Sequence, residues 1–173
     1  MKVFNRIAIV GISGTGKSTL ARSISQILQI PIIHMDEHIW DVHWRERAIE
    51  ETERTLRATL QGSSWIVEGY IHPCAKEKLD HADLVLFLDY SGWTAMWGGF
   101  CRWWKYRQGK RPEMPEGCIE KLSWKYLQVM RKRLERPELI DALKGVENKI
   151  VSLTSRKMTA KWLASLSDSL TKK

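Results

Sequence analysis

The chain has few cysteines and no long hydrophobic run among its 173 residues. The three cysteines, Cys74, Cys101 and Cys118, are odd in number and widely spaced, which argues against a disulfide framework and against a zinc site. No apolar stretch approaches the ~20 residues that a membrane-spanning helix needs. The first residues lead directly into an apolar strand pattern and leave no room for a signal peptide. We therefore expect a cytoplasmic protein with reduced thiols and no membrane partner.

Acidic residues are also in the minority, with 20 Asp and Glu against 28 Lys and Arg and a formal net charge of +8. The excess is concentrated between residues 101 and 136, where eleven basic residues accompany four acidic ones. A localised excess of this kind is typical of a polyphosphate site, but a nucleic-acid surface has the same signature. The charge pattern alone leaves both alternatives open.

What the sequence does contain is a complete phosphate-binding loop near its start. Residues 11–18 read Gly-Ile-Ser-Gly-Thr-Gly-Lys-Ser and fit the pattern G-x-x-x-x-G-K-[ST]. The apolar run 7–10 before the loop suits a buried parallel strand, and a helical pattern follows it. Glycines let backbone N–H groups point at a phosphate, and the helix N-terminus adds positive potential. We expect a nucleoside triphosphate to bind through Gly11, Ser13, Gly14, Thr15, Gly16, Lys17, Ser18 and Thr19.

The hydrophobic pattern predicts an α/β fold in which five strands alternate with helices. Strands are expected at 7–10, 31–34, 65–67, 84–88 and 149–153, and helices at about 17–29, 44–60, 74–79, 119–133 and 157–170. This alternation indicates a parallel sheet covered on both faces, a three-layer sandwich. We expect a single domain over residues 1–173. Within it, we expect a lid excursion at about 108–120 and an acceptor-binding helical region at about 37–62.

Chemically active side chains follow several of these strands. Lys17 is expected to reach the β- and γ-phosphates, and the Ser18 hydroxyl to ligate Mg²⁺. Ligands of open parallel sheets bind beyond the carboxyl ends of the strands, where Asp36 and Glu68 are placed. Asp36 could accept a proton from an acceptor hydroxyl or hold Mg²⁺, and Glu68 could hold Mg²⁺ through water. His34 is interpreted as a packed, hydrogen-bonded side chain.

An aromatic stripe and a set of arginines flank the predicted lid. Helical spacing places four aromatic residues on one face, which we expect to pack on the sheet: Trp93, Trp97, Phe100 and Trp104. The arginines are Arg102, Arg107, Arg111, Arg131, Arg133 and Arg136. A guanidinium can bind phosphate in a bidentate manner, so lid closure would bring two or three of these groups onto the triphosphate. We expect catalytic contacts first from Arg102, Arg131 and Arg133.

Together these motifs resemble the adenylate-kinase-related P-loop kinases called DNA topology modulation proteins. The similarity spans nearly the whole chain and is carried by 11–19, 31–36, 65–69, 82–89, 107–118 and 153–156. The run Arg-Pro-Glu-Met-Pro-Glu-Gly-Cys at 111–118 is its most particular part. The resemblance implies a nucleoside-kinase-like P-loop NTPase fold with strand order 2-3-1-4-5, ATP as donor and a helical, arginine-rich lid. It also implies nucleotide contacts from Arg102 and Arg156.

Departures from adenylate kinases bear on the acceptor. Those enzymes carry Asp-Gly-Phe-Pro-Arg after the third strand, where the arginine holds a monophosphate acceptor, but this chain reads Glu-Gly-Tyr-Ile-His at 68–72. Gly98 stands where the first of two lid arginines is expected, while Arg102 matches the second. A carboxylate after the second strand, here Asp36, resembles kinases of alcohols such as shikimate and gluconate kinases. We favour a small hydroxyl-bearing acceptor and keep AMP-type acceptors as an alternative.

A competing interpretation is a nucleic-acid-binding regulator. Residues 103–107 read Trp-Trp-Lys-Tyr-Arg, and aromatic rings among cations can stack on bases while the cations neutralise phosphates. Against this interpretation, the stripe assigns Trp104 to the core, and the cations have a nearer anion in ATP. We therefore favour the kinase.

Overall fold

Strands and helices alternate along the chain in the computed structural model, which describes residues 4–69, 75–109 and 111–171. In chain order the elements are β1 (Arg6–Gly11), α1 (Lys17–Leu28), β2 (Ile32–His34), α2 (Met35–Ile39), β3 (Trp40–Asp41), β4 (Arg45–Glu46), α3 (Ile49–Leu60), β5 (Trp65–Glu68), α4 (Ala75–His81), β6 (Leu84–Leu88), α5 (Gly92–Tyr106), α6 (Trp124–Lys132), α7 (Arg136–Ala142), β7 (Ile150–Leu153) and α8 (Arg156–Thr171).

The five long strands form one parallel sheet in the order β2-β5-β1-β6-β7. Strands β3 and β4 form a separate antiparallel hairpin that the sequence did not predict. Counting only the five strands of the main sheet, its order is 2-3-1-4-5, as expected. The carboxyl ends of β2, β5 and β1 are therefore neighbours, which brings sequence-distant residues to one edge.

Each face of the sheet packs on its own layer of helices, as the apolar runs predict. Side chains alternate along a strand, so Ile7 and Ile9 of β1 point to one face and Ala8 and Val10 to the other. The first pair belongs to a core with residues of α1 and α8. The second pair belongs to a core with residues of α3, α4, α5, α6 and α7. The predicted three-layer α/β class is confirmed.

Two predicted helices begin later than expected. The helix expected at 44–60 begins at Ile49, because residues 40–46 form the β3–β4 hairpin instead. The helix expected at 119–133 begins at Trp124, where the Ser123 side chain accepts the N–H of Tyr126 as an N-cap. It ends at Lys132, and Pro137 lies in the first turn of α7, a position that tolerates proline. The described residues between α5 and α6, which include most of the lid, contain no helix.

The aromatic stripe does not pack on the sheet, and this prediction is wrong. Trp93, Trp97 and Trp104 are 64%, 58% and 56% exposed. The buried residues of α5 are instead small, and α6 packs against this face so closely that a Cβ at Gly92 would lie 1.8 Å from the carbonyl oxygen of Arg131. Helices α5 and α6 can approach this closely only where the side chains between them are small. The small residues of α5 therefore face α6, and its tryptophans face away from that contact.

Some predicted features fall outside the described ranges or are only partly covered by them. Residues 70–72, which follow the third sheet strand, and Cys74 lie outside the described residues, and the predicted helix at 74–79 corresponds to α4 from Ala75 onward. In the part of the chain that is described, Cys101 and Cys118 are free thiols. No helix within the described ranges is long and apolar enough to cross a bilayer.

Candidate functional site

A cavity of about 750 Å³ lies at the carboxyl ends of β1, β2 and β5. One end is formed by the phosphate-binding loop and the middle of α5. The other end is formed by α2, the β3–β4 hairpin and residues of the lid. We call these the loop end and the hairpin end. Asp36 and Glu68 line the cavity together with both groups, so the predicted convergence of chemistry at this edge is what the structure contains.

The loop end has the backbone that phosphate binding needs. Gly14 has a φ of 80°, in the left-handed region, and Gly16 with a φ of 90° precedes the first residue of α1. The Lys17 ammonium donates to the carbonyl oxygens of Gly11, at 3.0 Å, and Ile12, at 3.2 Å. Burial lowers the pKa of Lys17, against the opposing effect of nearby carboxylates. The 12-residue helix α1 points its N-terminus into this end.

Helix α5 touches the phosphate-binding loop through its backbone. A Cβ at Gly98 would lie 2.0 Å from the carbonyl oxygen of Gly14, and a Cβ at Gly14 would lie 2.1 Å from that of Ala95. No side chain fits at position 98, which explains physically why the first lid arginine of adenylate kinases has no counterpart here. The Arg156 guanidinium, one of the predicted nucleotide contacts, lies 3.6 Å from the same Cβ position.

Glu68, His34 and Ser18 form a hydrogen-bonded group on the cavity floor. The His34 Nδ1 lies 2.6 Å from Glu68 Oε1. Burial opposes ionisation of Glu68, but hydrogen bonds from His34 and Ser18 and the charge of Lys17 hold the pKa of its carboxyl below the usual value. Burial likewise opposes protonation of His34, yet its bond to Glu68 raises the pKa of the imidazole. His34 is thus a positioned partner of Glu68, consistent with its interpretation as a packed side chain.

These side chains suit a magnesium ion held mainly by phosphate and water. Within the described ranges, no group of three or more His, Cys, Asp or Glu residues is arranged as a metal site. Mg²⁺ at nucleotides usually keeps several waters and needs only one or two protein ligands. The Ser18 hydroxyl and an ionised Glu68 provide that chemistry, and Asp36 lines the same cavity. The residues present therefore fit the ion.

Asp36 lies where β2 passes into α2, between the two ends of the cavity. Its side chain is 31% exposed, and its Oδ2 lies 3.6 Å from Arg111 Nη2. Burial raises the pKa of Asp36, and the charges of Arg111 and Lys17 offset this effect only in part. A carboxyl group with a raised pKa in a cavity is a candidate proton acceptor.

Three guanidiniums and three carboxylates form a connected network along one wall of the cavity. Arg111 is at its centre, with Nη1 at 3.0 Å from Glu120, Nε at 3.7 Å from Glu113 and Nη2 on Asp36. Arg22 pairs with Glu113, and Arg102 Nε lies 3.1 Å from Glu120 Oε1. Arg111, Glu113 and Glu120 are at most 9% exposed. We call this set of six residues the ion network.

A second carboxylate contacts the phosphate-binding loop directly. The Ser13 N–H donates to Glu135 Oε2 at 2.7 Å, and the Tyr126 hydroxyl donates to Ser13 Oγ at 2.6 Å. Burial raises the pKa of Tyr126, so the phenol stays protonated. A carboxylate therefore occupies one of the N–H donors that the loop offers to anions.

Of the three arginines expected to act in catalysis, only Arg102 lines the cavity. Arg131 donates to the Gln128 side chain, and its guanidinium lies 5.3 Å from the centre of the Trp93 ring. Arg133 has a left-handed φ of 56° directly after α6 and pairs with Asp89. Arg136 binds the same carboxylate at 2.9 and 3.0 Å. Asp89 thus ties α7 to the end of β6, and neither Arg131 nor Arg133 lines the cavity.

Several lining residues were not singled out by sequence reasoning. Glu113 belongs to the run 111–118, whose unusual composition was the available signal, whereas its partner Arg111 was among the predicted lid arginines. Glu120 and Glu135 gave no signal, because their roles depend on partners distant in sequence. Trp44 was assigned to a helix, whereas it lies in a turn with a φ of 61°.

The fold resembles those of solved kinases. Shikimate kinase from Bacteroides thetaiotaomicron is 16% identical, with 97% of this chain and 99% of that chain covered and a TM-score of 0.52. Shikimate kinase from Acinetobacter baumannii in complex with shikimate is 16% identical, with 99% and 96% covered and a TM-score of 0.55. A Chloroflexus aurantiacus protein with a provisional kinase assignment is 18% identical, with 92% and 96% covered and a TM-score of 0.58.

These likenesses show that the chain shares the fold of these solved structures. No family model and no curated protein matches the chain. The resemblance to DNA topology modulation proteins therefore stays a prediction.

Proposed function

We propose that this protein is an ATP- and Mg²⁺-dependent kinase that phosphorylates a hydroxyl group of a small molecule. The observation that carries this proposal is a cavity in which the phosphate-binding loop and the half-buried carboxyl of Asp36 line the same space. An acceptor at the hairpin end would lie beside Asp36, and the triphosphate of ATP would lie at the loop end. The fold shared with shikimate kinases supports the same arrangement.

Asp36 acts as the general base of the proposed reaction. It accepts the proton of the acceptor hydroxyl as that oxygen forms a bond to the γ-phosphorus, and the bond from the γ-phosphorus to the β,γ-bridging oxygen breaks to release ADP. The raised pKa of Asp36 favours this role, because a base is most effective when its pKa is near the operating pH.

Lys17, Arg102 and the backbone of the loop stabilise the negative charge of the transferred group. In the described structure Lys17 contacts carbonyl oxygens of the loop, contacts that it would exchange for phosphate oxygens. Ser18 and Glu68 would hold Mg²⁺, which neutralises phosphate charge when bound. The contact with His34 restrains the Glu68 carboxylate.

Labelled ATP incubated with a panel of alcohols, sugars, nucleosides and nucleoside monophosphates tests the proposal. A phosphorylated product that requires Mg²⁺ and disappears in Lys17→Ala supports it. Lys125→Ala, at an exposed residue of α6 outside the cavity lining, removes a charge of the same kind and provides the comparison. ATP binding without transfer to any acceptor, or no ATP binding, would reject the kinase.

One observation favours a second candidate function, nucleic-acid binding. Trp104 does not belong to the core, because it is 56% exposed, and the Arg107 guanidinium lies 3.9 Å from the centre of its ring. Exposed rings with stacked cations are suited to bases and phosphates of a single strand. Affinity for an oligonucleotide that falls steeply with salt, persists in Lys17→Ala and is lost in Trp97→Ala/Trp104→Ala would support this function.

A further inference from the structure

The guanidiniums near the hairpin end of the cavity are already paired with carboxylates of the same chain. They belong to Arg22 and Arg111, and the carboxylates of Asp36, Glu113 and Glu120 contact them. Arg102 pairs with the same Glu120 from the side of α5. Each guanidinium of the ion network is thus already neutralised within the chain.

An anionic acceptor would have to compete with these carboxylates for the guanidiniums. An anion that drew Arg22 or Arg111 away from these pairs would displace a buried partner, since Glu113 and Glu120 are 4% and 9% exposed. The released carboxylate would remain buried, without its cation and close to the bound anion, which is strongly unfavourable. Lys105 and Lys121 also line the cavity, but both are solvent-exposed, where water and salt screen their charges.

The hairpin end also presents tryptophan rings, held in place by an unusual turn. Trp40 and Trp44 both line the cavity, with ring centres 5.6 Å apart and planes at 76°. His43 and Trp44 have φ values of 59° and 61°, a backbone conformation that residues other than glycine rarely adopt. Such strained residues cluster at ligand-binding sites.

Contacts to the lid hold this turn in place. The Trp44 Nε1–H donates to the carbonyl oxygen of Ile119 at 3.2 Å, and the His43 N–H donates to that of Glu116 at 3.2 Å. The rings are therefore fixed against the segment that carries the ion network.

We propose that the acceptor is an uncharged polyhydroxy ring compound of the sugar or nucleoside class, selected against carboxylate- and phosphate-bearing alcohols by the ion network. The inference rests on the proposed kinase function and narrows its acceptor. Trp40 and Trp44 contact the ring of the acceptor, and Asp36 receives the proton of the hydroxyl that is phosphorylated. The carboxylates that pair with Arg22 and Arg111 repel an anionic acceptor and so discriminate between acceptors.

Calorimetry on the full chain, saturated with Mg²⁺ and a non-hydrolysable ATP analogue, tests this specificity. The probes are matched pairs that differ in charge: ribose and ribose 5-phosphate, the methyl ester of shikimate and shikimate, cytidine and CMP. We expect the uncharged member of each pair to bind at least about tenfold more tightly, a difference of about 1.4 kcal/mol. Equal or tighter binding of the anionic members would overturn the inference.

Glu113→Gln gives a gain-of-binding test. Removal of this charge leaves Arg22 without its carboxylate and Arg111 with one fewer, so the anionic members should bind at least about tenfold more tightly than they bind the wild type. Glu116→Gln makes the same change at an exposed lid residue outside the network and should leave both members unaffected. A folded Glu113→Gln protein with unchanged preference would contradict the role of the network.

Trp44→Ala provides a measurement that does not disturb the buried charges, since this ring is 37% exposed. We expect affinity for the uncharged members to fall by about tenfold, within the range of ring stacking. Trp124→Ala, at a 69% exposed ring outside the cavity lining, should have no effect. Equal affinities in the two variants would overturn the assignment of the ring contact.

ATP binding is measured first and separately. If Mg²⁺–ATP produces no heat with the wild type, the proposed kinase function fails. If ATP binds and the anionic members are preferred, the kinase stands and only the acceptor class is wrong.

Discussion

Replacing Asp36 with asparagine should abolish most of the turnover without destabilising the protein. A positioned general base contributes about 10²–10⁴-fold to a rate. That factor corresponds to about 3–5 kcal/mol of activation free energy. The amide keeps the size of the side chain but cannot accept a proton at neutral pH. We therefore expect kcat to fall by at least about 10²-fold with the KM for ATP little changed.

The same substitution should increase the stability of the folded protein at neutral pH, although it lowers the turnover. Burial raises the pKa of Asp36, so the ionised form is less favourable in the folded protein than in the unfolded chain. The associated stability is present below the unfolded pKa and is lost as the pH rises through the folded value. Each unit of such a shift corresponds to about 1.4 kcal/mol, and solvent reduces the effect because the side chain is 31% exposed. Arg111 retains Glu113 and Glu120, so Asp36→Asn should gain up to about 1 kcal/mol at neutral pH, or about 2–4 °C in Tm.

Two measurements together test this reasoning. Thermal unfolding as a function of pH should show the advantage of Asp36→Asn increasing from acidic to neutral pH, and steady-state kinetics should show the loss of kcat. Glu37→Gln, at the exposed neighbouring residue of α2, should change neither quantity appreciably. A variant that loses several degrees in Tm at neutral pH, or that retains wild-type turnover, would refute the assignment of Asp36 as a destabilised base.

Three further predictions concern the loop and the floor of the cavity. In Gly98→Ala, the added Cβ would lie 2.0 Å from the Gly14 carbonyl oxygen and would displace the phosphate-binding loop or α5. Calorimetry should therefore show at least about tenfold weaker ATP binding. Unchanged affinity would mean that α5 can move without disturbing the loop. Glu135→Gln should strengthen ATP binding severalfold, because the carboxylate accepts the Ser13 N–H and would repel a triphosphate; weaker binding would contradict this. Burial opposes protonation of His34, but its hydrogen bond to a carboxylate raises the pKa of the imidazole. The stabilisation it provides should be full below its ordinary value of 6.5 and disappear as the pH rises through the folded value. Urea unfolding of wild type and His34→Gln should thus differ less at about pH 9 than at about pH 6, and a difference that grows with pH would exclude this pairing.

Local pattern was sufficient to predict the sheet and its loop. The strands are continuous apolar runs, and the motif at 11–18 requires a strand before it and a helix after it, so neighbouring residues determine both. Asp36 and Glu68 could be placed because parallel strands end at one edge. These inferences depend on short-range sequence and on a general rule of topology.

The errors have a common physical cause, since they concern contacts between elements distant in sequence. The aromatic stripe has the periodicity of a buried face, but the tight approach of α6 at Gly92 turns the small residues inward. The pairing of Arg133 with Asp89, 44 residues away, likewise could not be read from composition. The ion network around Arg111 likewise depends on where the lid folds back.

The backbone contact between Gly98 and the phosphate-binding loop limits how this sequence can diverge. Any residue other than glycine at position 98 would meet the loop carbonyl at a distance that only a displaced helix could relieve. An arginine at position 98 could therefore contact a nucleotide only after other substitutions had moved α5 away from the loop. Selection should therefore act against amino-acid substitutions at position 98.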